Sequence, residues 1–307
     1  MPEMNLMKAL NEATTSEGGY LVPEIWAAKI YQLIVAKSTA IQLCEQITMT
    51  SDTLFFPKVA SASTAYWVAE AGTITASQPS FSQLTITPSK IAALTELSTE
   101  VIEDSNPSIM EVVTQRLAID IALKIDYGIY NGTGTATDPF VGFRSNTLVS
   151  TVSVCGEITT DKISDAILAL QGANIEPTDL VIHPKVMNKL RKLKTTTTSN
   201  EPLLNLVMYG SMPLMNGQVG KIWGVNVIMT TQLPVNLTST ATNDTTGTDA
   251  VLVCRGKCGI FANRRQLSLN KFYRIATDDW QIQSNLRVAF AVNYEKAVCI
   301  LKNIQTA

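Results

Sequence analysis

The chain has 307 residues, of which 46% are apolar and only 16% are charged, and its formal net charge is −2. Average globular chains carry about 25% charged residues, and dedicated nucleic-acid binders carry a basic excess that neutralises phosphates. The composition argues against nucleic-acid binding as the main function, so any contact with DNA is expected to be weak and non-specific. Protein neighbours tolerate such a surface, because charge is depleted at interface cores.

The sequence also disfavours membrane insertion and secretion. No apolar stretch reaches the ~20 residues that a membrane-spanning helix needs, and the first residues lack the apolar core of a signal peptide. The five cysteines are scattered and odd in number. This pattern predicts free thiols in a reducing compartment rather than a disulfide framework.

The first hundred residues combine segments that cannot form a hydrophobic core of their own with segments rich in β-forming residues. Residues 1–20 are polar and lack periodicity, which predicts an arm, and residues 24–37 have the spacing of a short amphipathic helix. From 44 to 97, Thr, Ser, Val, Ile and aromatic residues dominate, as they do in strands. Residues 53–90 are predicted to form a long two-stranded excursion. A lone hairpin is marginal in water, so this one needs a partner surface, from its own body or another subunit.

A long helix follows. Asn106 and Pro107 form a start signal, as cap and first helical residue. An apolar ridge then recurs every four residues from Ile109 to Ile129, and Asn131-Gly132 predicts a left-handed cap at the end. At ~1.5 Å per residue the helix would be roughly 36 Å long, enough for the backbone of an elongated subunit.

The second half of the chain is predicted to alternate between helices and strands, as in a compact α/β or α+β domain over 150–260. It ends in a β-rich tail. The predicted elements are helix 161–173, strand 179–182, helix 185–194, loop 195–200, strand 224–229, loop 238–249 and strands 287–292 and 297–301.

Candidate catalytic and metal residues are sparse. His183 is the only histidine, and a catalytic base would need a nucleophile and an orienting carboxylate. The sequence has no Gly-x-Ser-x-Gly elbow and no nucleophile cysteine signature, so a structural role is favoured. Cys254 and Cys258 resemble half of a metal knuckle, but structural zinc needs four ligands. Two thiols near a turn is the favoured interpretation.

Two further motifs lead to the same conclusion. The glycines of 131–135 follow a helix, whereas phosphate loops precede one, so a turn is predicted there. Acidic residues occur as Glu100, Glu103 and Asp104 ahead of the long helix, and as Asp278-Asp279 in a predicted turn. A paired-carboxylate hydrolase site is the enzymatic alternative and is disfavoured. We predict no catalytic, cofactor-binding or metal residues, and no enzymatic activity.

Taken in order, several segments resemble the major capsid protein family of tailed bacteriophages, which has the Hong Kong-type fold. Each motif is weak alone, but their order and spacing over 17–143 are specific. The matching segments are 17–23 (containing Gly-Gly-Tyr-Leu-Val-Pro), 65–70 (Ala-Tyr-Trp-Val-Ala-Glu), the returning strand from 79–81 to 88–93, 97–105, 130–135 with 140–143, and more loosely 221–227.

The resemblance implies an α+β capsid fold with four parts and an L-shaped subunit. The arm and the loop would lie on neighbours, and the polar loop 195–200 near the five- and six-fold axes. The parts are an N-terminal arm (1–30), an extended β-hairpin loop (51–92), a peripheral domain (31–50 with 93–144 and 256–294, spine helix about 107–130) and an axial domain (145–255 with 295–307).

The implied function is a major capsid protein that assembles into the pentamers and hexamers of an icosahedral shell around double-stranded DNA. The implied partners are copies of itself, a portal and a maturation protease, and the implied location is the virion, after assembly in the host cytoplasm. Family members often begin with a helical scaffold segment, which this sequence lacks, so a removed segment or a separate scaffold protein is expected. Some members cross-link through a loop lysine. Residues 72–77 contain none, so no such bond is predicted.

Two alternatives remain at this point. An encapsulin-like nanocompartment shell shares the fold but encloses a cargo protein, and the extended loop and arm favour the phage version over it. The other alternative is a hydrolase or other enzyme, which the missing nucleophile–base set disfavours. Particle formation would separate the shells from the enzyme.

Overall fold

The computed structural model describes residues 34, 37–61, 63–104, 109–193, 218–237 and 247–306. The predicted arm, most of the predicted helix 24–37, the cap at Asn106-Pro107, the loop 195–200 and most of the loop 238–249 lie outside these residues. The described chain mixes helices with two larger sheets and one separate hairpin. It has the predicted α+β class.

The first sheet has four strands, in the order β1-β10-β11-β4. Strand β1 runs parallel to β10, and the other two pairs are antiparallel. The pairing of β10 with β11 shifts register between Asn263 and Ser268, so the long hairpin bends there. The bounds are β1 Glu45–Thr48, β4 Ser89–Ser98, β10 Gly259–Arg274 and β11 Asp279–Val292.

Two helices follow β4, the short α1 (Thr99–Asp104) and the long α2 (Ile109–Asn131). At ~1.5 Å per residue, the 23 residues of α2 span roughly 35 Å. From Val113 to Ile129 its apolar ridge lies on the first sheet, where alternate residues of β4 and β11 point toward it. The shared core contains Leu117, Ile121, Ile125, Ile129, Leu269, Ile282, Leu286 and Val288, with Ile91, Ala93 and Leu97 packed against it.

The end of α2 differs from the predicted left-handed cap. Positive φ occurs at Gly134 (+74°), and neither Asn131 nor Gly132 has it. Gly132 instead permits a close crossing of two chain segments: a Cβ there would lie 2.4 Å from the Phe140 carbonyl oxygen. The Gly142 N–H donates to the Gly132 carbonyl at 2.8 Å. Glycine is required here by lack of space, which the local sequence pattern does not reveal.

The second sheet has six strands, in the order β5-β12-β9-β6-β8-β7. Two helices, α3 (Thr160–Gln171) and α4 (Pro184–Lys192), cover one of its faces through Ile163, Leu170 and Val186. Strands β6 and β9 are buried on both faces, and their residues 180–182 and 250–253 are all apolar. The bounds are β5 Ser150–Gly156, β6 Asp179–Ile182, β7 Gln218–Ile222, β8 Val225–Met229, β9 Thr248–Val253 and β12 Val298–Ile304.

One hydrophobic core joins the two sheets. Residues of β6, β9 and β12 on the face away from α3 and α4 belong to the same cluster as α2 and β11. A partly buried ion pair lies at this junction, where the Arg144 Nε donates to Asp249 at 2.7 Å. Arg144 also donates to the Asn131 side chain at 3.2 Å, and the Asn303 N–H donates to Asp249 at 2.9 Å. The end of α2 is thereby tied to β9 and β12.

Candidate assembly surface

The two strands β2 (Leu54–Ser61) and β3 (Ser80–Ile86) form a hairpin outside both larger sheets. Side chains point alternately to opposite faces of a strand, so the hairpin has two faces. One of them packs on the subunit. The Lys58 ammonium also pairs with Glu295, which belongs to the short 3₁₀ helix Glu295–Ala297. The root of the hairpin is therefore fixed. Its small core consists of Leu54, Phe56, Leu84, Ile86, Met49, Ile260, Ala262 and Ala289.

The opposite face of the hairpin is open and apolar. Val59 lies directly across from Phe81 in the strand pairing, and both side chains are exposed, as is Phe55. Cross-strand aromatic and β-branched pairs are usually stabilised by burial. An uncovered apolar strip of this kind is typical of a surface that a protein partner covers.

The tip of the hairpin, residues 63–79, contains no helix or strand, and every residue from 63 to 83 is exposed. The Trp67 side chain is fully exposed, at 103%. Local hydrogen bonds continue the ribbon: the Thr64 N–H donates to the Ser77 hydroxyl at 2.7 Å, and the Tyr66 hydroxyl donates to the Thr75 carbonyl. The tip thus presents apolar side chains to solvent, and none of its residues belongs to a hydrophobic core of the described chain.

The segment that follows the predicted arm is held by a buried carboxylate of α2. Asp126 accepts hydrogen bonds from the N–H groups of Thr39 (3.0 Å) and Ala40 (3.1 Å) and from the hydroxyls of Ser38 and Thr39. Burial raises the pKa of Asp126, while these four hydrogen bonds act in the opposite direction. The carboxylate fixes where the chain enters β1. Neither composition nor the apolar ridge points to this residue.

His183 lies at the end of β6 and caps helix α4. Its Nδ1 accepts a hydrogen bond from the Lys185 N–H at 3.1 Å, and Pro184 occupies the first helical turn. Burial lowers the pKa of His183, and the charge of Lys185 contributes in the same direction. A neutral imidazole is required, because only an unprotonated Nδ1 can accept this hydrogen bond.

This cap predicts a stability that depends on pH. Because the pKa of His183 is lowered by folding, the cap is intact above the unfolded pKa and is lost as the pH falls through the folded pKa. We expect wild type to lose about 1 kcal/mol relative to His183→Asn between about pH 7 and pH 5, since Asn caps a helix without titrating. Urea unfolding at both pH values measures the difference.

His183→Ala is the matched control, because it removes the cap at every pH. It should be less stable than wild type at about pH 7 by about 1 kcal/mol and show no such acid-dependent loss. Equal acid sensitivity of wild type and His183→Asn would contradict the capping role.

The cysteine motif lies at a turn between β9 and β10. The Cys258 N–H donates to the Cys254 carbonyl at 3.1 Å, and Gly256 has positive φ. The Cys258 thiol donates to the Leu43 carbonyl at 3.4 Å, and burial raises the pKa of Cys254. All five cysteines are free. Within the described residues, no group of three potential ligands is placed to hold a metal ion.

The two acidic groups of the sequence, 174 to 179 positions apart, lie together at one end of the first sheet. Glu100, Glu103 and Asp104 are on α1, and the Thr99 N–H donates to the Asp278 carbonyl at 3.1 Å. All of these carboxylates are exposed or half-buried.

No described helix is both long and apolar enough to cross a membrane.

The chain resembles solved structures of a GTA capsid and of phages in three dimensions. The capsid of an empty GTA particle superimposes with a TM-score of 0.69 at 17% identity, over 96% of this chain and 100% of that one. Microbacterium phage Oxtober96 gives a TM-score of 0.66 at 16% identity, over 87% and 91% of the two chains. Mycobacterium phage Ogopogo gives 0.62 at 14% identity, over 86% and 91%. These likenesses show that the fold is the predicted capsid fold.

Sequence comparison identifies the family. Among curated proteins, none matches this chain. The model of the phage capsid family matches residues 18–303, which includes both sheets, helix α2 and the β2–β3 hairpin. Because this match covers most of the chain, the protein belongs to the phage capsid family, and its function is that of a major capsid protein, a subunit of a protein shell.

Proposed function

We propose that the chain assembles into pentamers and hexamers that close into the icosahedral head of a tailed phage around double-stranded DNA. The observation that carries the proposal is the β2–β3 hairpin. Its root packs on the subunit, while its outer face and tip present Phe55, Phe81 and Trp67 to solvent. Burial of apolar surface contributes about 25 cal/mol per Å², so a neighbouring copy that covers these side chains gains stability.

The proposed division into domains follows the two sheets. The peripheral domain (31–50 with 93–144 and 256–294) would contain α2 as spine helix, and the axial domain (145–255 with 295–307) would contain the six-stranded sheet. Two observations support this: strands β1, β10 and β11 fall in the first part, and β5 to β9 with β12 fall in the second. We place the end of the extended loop before Ser89, where β4 begins, so it is slightly shorter than 51–92 and residues 89–92 join the peripheral domain.

A phage shell is favoured over a nanocompartment shell, because the matching family is the phage capsid family and the structural relatives named above are a GTA capsid and two phage structures. The chain would work by assembly and without catalysis. His183 supports this, since its Nδ1 is engaged with the backbone of α4. The loop tip lacks lysine, so subunits would be joined by non-covalent contacts alone.

The remaining partners are part of the same proposal. A scaffold protein, a portal and a maturation protease would act during assembly in the host cytoplasm, and the product would be the virion. Contact with packaged DNA would be weak and non-specific, because the net charge of −2 supplies no excess of cations.

Electron microscopy and sedimentation of the purified chain test the proposal. Closed shells, or rings of five and six subunits, are expected. A particle that stays monomeric at every concentration would contradict a shell function. Nucleic acid inside native shells is expected for a phage head, whereas an enzyme cargo would identify a nanocompartment.

A further inference from the structure

Three cations occupy one row across the first sheet. Arg265 of β10 is paired with Arg287 of β11, and Arg287 is paired with Lys90 of β4. Paired residues of adjacent strands lie on the same face, and like charges directly opposite each other are destabilising. Arg264 adds a fourth cation beside them. We call Lys90, Arg264, Arg265 and Arg287 the basic end of the sheet.

One described carboxylate forms ion pairs with the basic end. The Asp52 Oδ1 lies 3.5 Å from the Arg264 Nε and 3.6 Å from the Arg287 Nη1, and the Asp52 side chain is 74% exposed. The buried Nε of Arg264 has no hydrogen-bond partner in the described part of the chain. Lys90 and Arg265 are exposed and form no ion pair with a described residue. Counted over the described residues, four cations and one carboxylate leave a local charge of +3.

The other end of β4 is acidic. Glu100, Glu103 and Asp104 are three and four residues apart, so they share one face of α1. All three are exposed, and the last turn of α1 has no basic residue. The turn between β10 and β11 adds Asp278, whose carbonyl accepts from the Thr99 N–H, and Asp279, which lies opposite Arg274 of β10. Arg274 forms its ion pair with Glu96 at 3.0 Å, so the carboxylates at this end stay in excess. We call Glu100, Glu103, Asp104, Asp278 and Asp279 the acidic end.

The two ends are too far apart to neutralise each other within one subunit. Lys90 and Ser98 are eight residues apart on β4, which corresponds to roughly 26 Å at ~3.3 Å per residue. The Debye length at physiological ionic strength is about 8 Å. Each end therefore keeps an unbalanced charge in the isolated subunit, although the net charge of the chain is only −2.

We propose that the acidic end of one copy binds the basic end of a neighbouring copy, so that the contact repeats head to tail between shell subunits. The inference rests on the proposed shell function and specifies one of its contacts. A second copy fits better than nucleic acid, because the chain itself presents the complementary charge. A head-to-tail contact uses two different surfaces on each subunit, so it can repeat around a ring.

Charge reversal on exposed residues tests the contact. Two double variants reverse the charge of one end each: Lys90→Glu with Arg265→Glu, and Glu100→Lys with Glu103→Lys. Each should fold normally and reduce the number of shells by at least roughly tenfold, because like charges then face each other. Combining all four substitutions should restore the shells. The control is Lys162→Glu with Lys185→Glu, which makes the same charge change in the first turns of α3 and α4, where acidic residues are favourable. It should assemble as wild type.

The results that would overturn the inference are distinct. The inference is contradicted if the fourfold variant forms no more shells than the double variants, while circular dichroism shows that each double variant is folded. If the basic-end variant forms normal shells that hold less DNA, the partner is nucleic acid instead. Carbodiimide treatment of assembled wild type should join Lys90 to Glu100, Glu103 or Asp104 of another chain. Shells that lack this link overturn the inference alone, whereas a monomeric chain overturns the shell function as well.

Discussion

A chain in which residues 62–79 are replaced by Asn-Gly is expected to fold with its normal stability and to form no shells. Ser61 and Ser80 are paired in the hairpin, and a two-residue Asn-Gly loop joins such a pair in a favoured turn. The removed residues from 63 onward are all exposed, so unfolding free energy should change by less than about 1 kcal/mol. Urea unfolding measures stability, and sedimentation with electron microscopy measures assembly.

A single substitution tests how much one side chain of the tip, that of Trp67, contributes to assembly. Tryptophan is enriched among interface residues whose truncation costs about 2 kcal/mol or more, and Trp67 is fully exposed in the subunit. Trp67→Ala should reduce assembly strongly without affecting folding, and Thr73→Ala, also in the exposed tip, is the control. Normal shells from the Asn-Gly variant would show that the tip is not an inter-subunit contact.

Elements with a strong local pattern were predictable from sequence. The ridge from Ile109 to Ile129 predicts a helix over 107–130, and α2 spans Ile109–Asn131. The three apolar residues after Asp179 predict a buried strand over 179–182, and β6 has these bounds. The pairing of β1 with β10 was not predictable, because it joins Glu45 to Ile260 and no local signal encodes so distant a register.

The candidate site was predictable only where it depends on the lack of a core. The alternation of apolar and polar residues predicts a two-stranded loop without a core of its own, and the structure shows such a loop. The structure adds that the root of the loop has a small core on the subunit. The basic end depends on the register of three strands, so sequence alone could not reveal it. Asp126 left a weaker signal: it stands in a row with Ala118, Ala122 and Tyr130, which are buried.

Replacement of Asp126 by alanine is expected to produce the largest loss of stability among single substitutions discussed here. The N–H groups of Thr39 and Ala40 would be left without their acceptor, and a buried unsatisfied donor costs about 1–3 kcal/mol. We expect Asp126→Ala to lower the unfolding free energy by about 2–4 kcal/mol. Chemical denaturation monitored by circular dichroism measures this change.

Asp120→Ala is the matched control on the same helix, because Asp120 is half exposed and, among the described residues, its ion pair is with Arg116 one turn away. Its loss should be about 0.5 kcal/mol or less.

The pH dependence supplies a second test. Since burial raises the pKa of Asp126 above its ordinary value of 3.8, the native state binds this proton more tightly than the unfolded chain. The resulting stability is complete below the unfolded pKa and is lost as the pH rises through the folded pKa. Wild type should therefore lose stability relative to Asp126→Asn in that window, and parallel pH profiles would contradict a buried, titrating carboxylate.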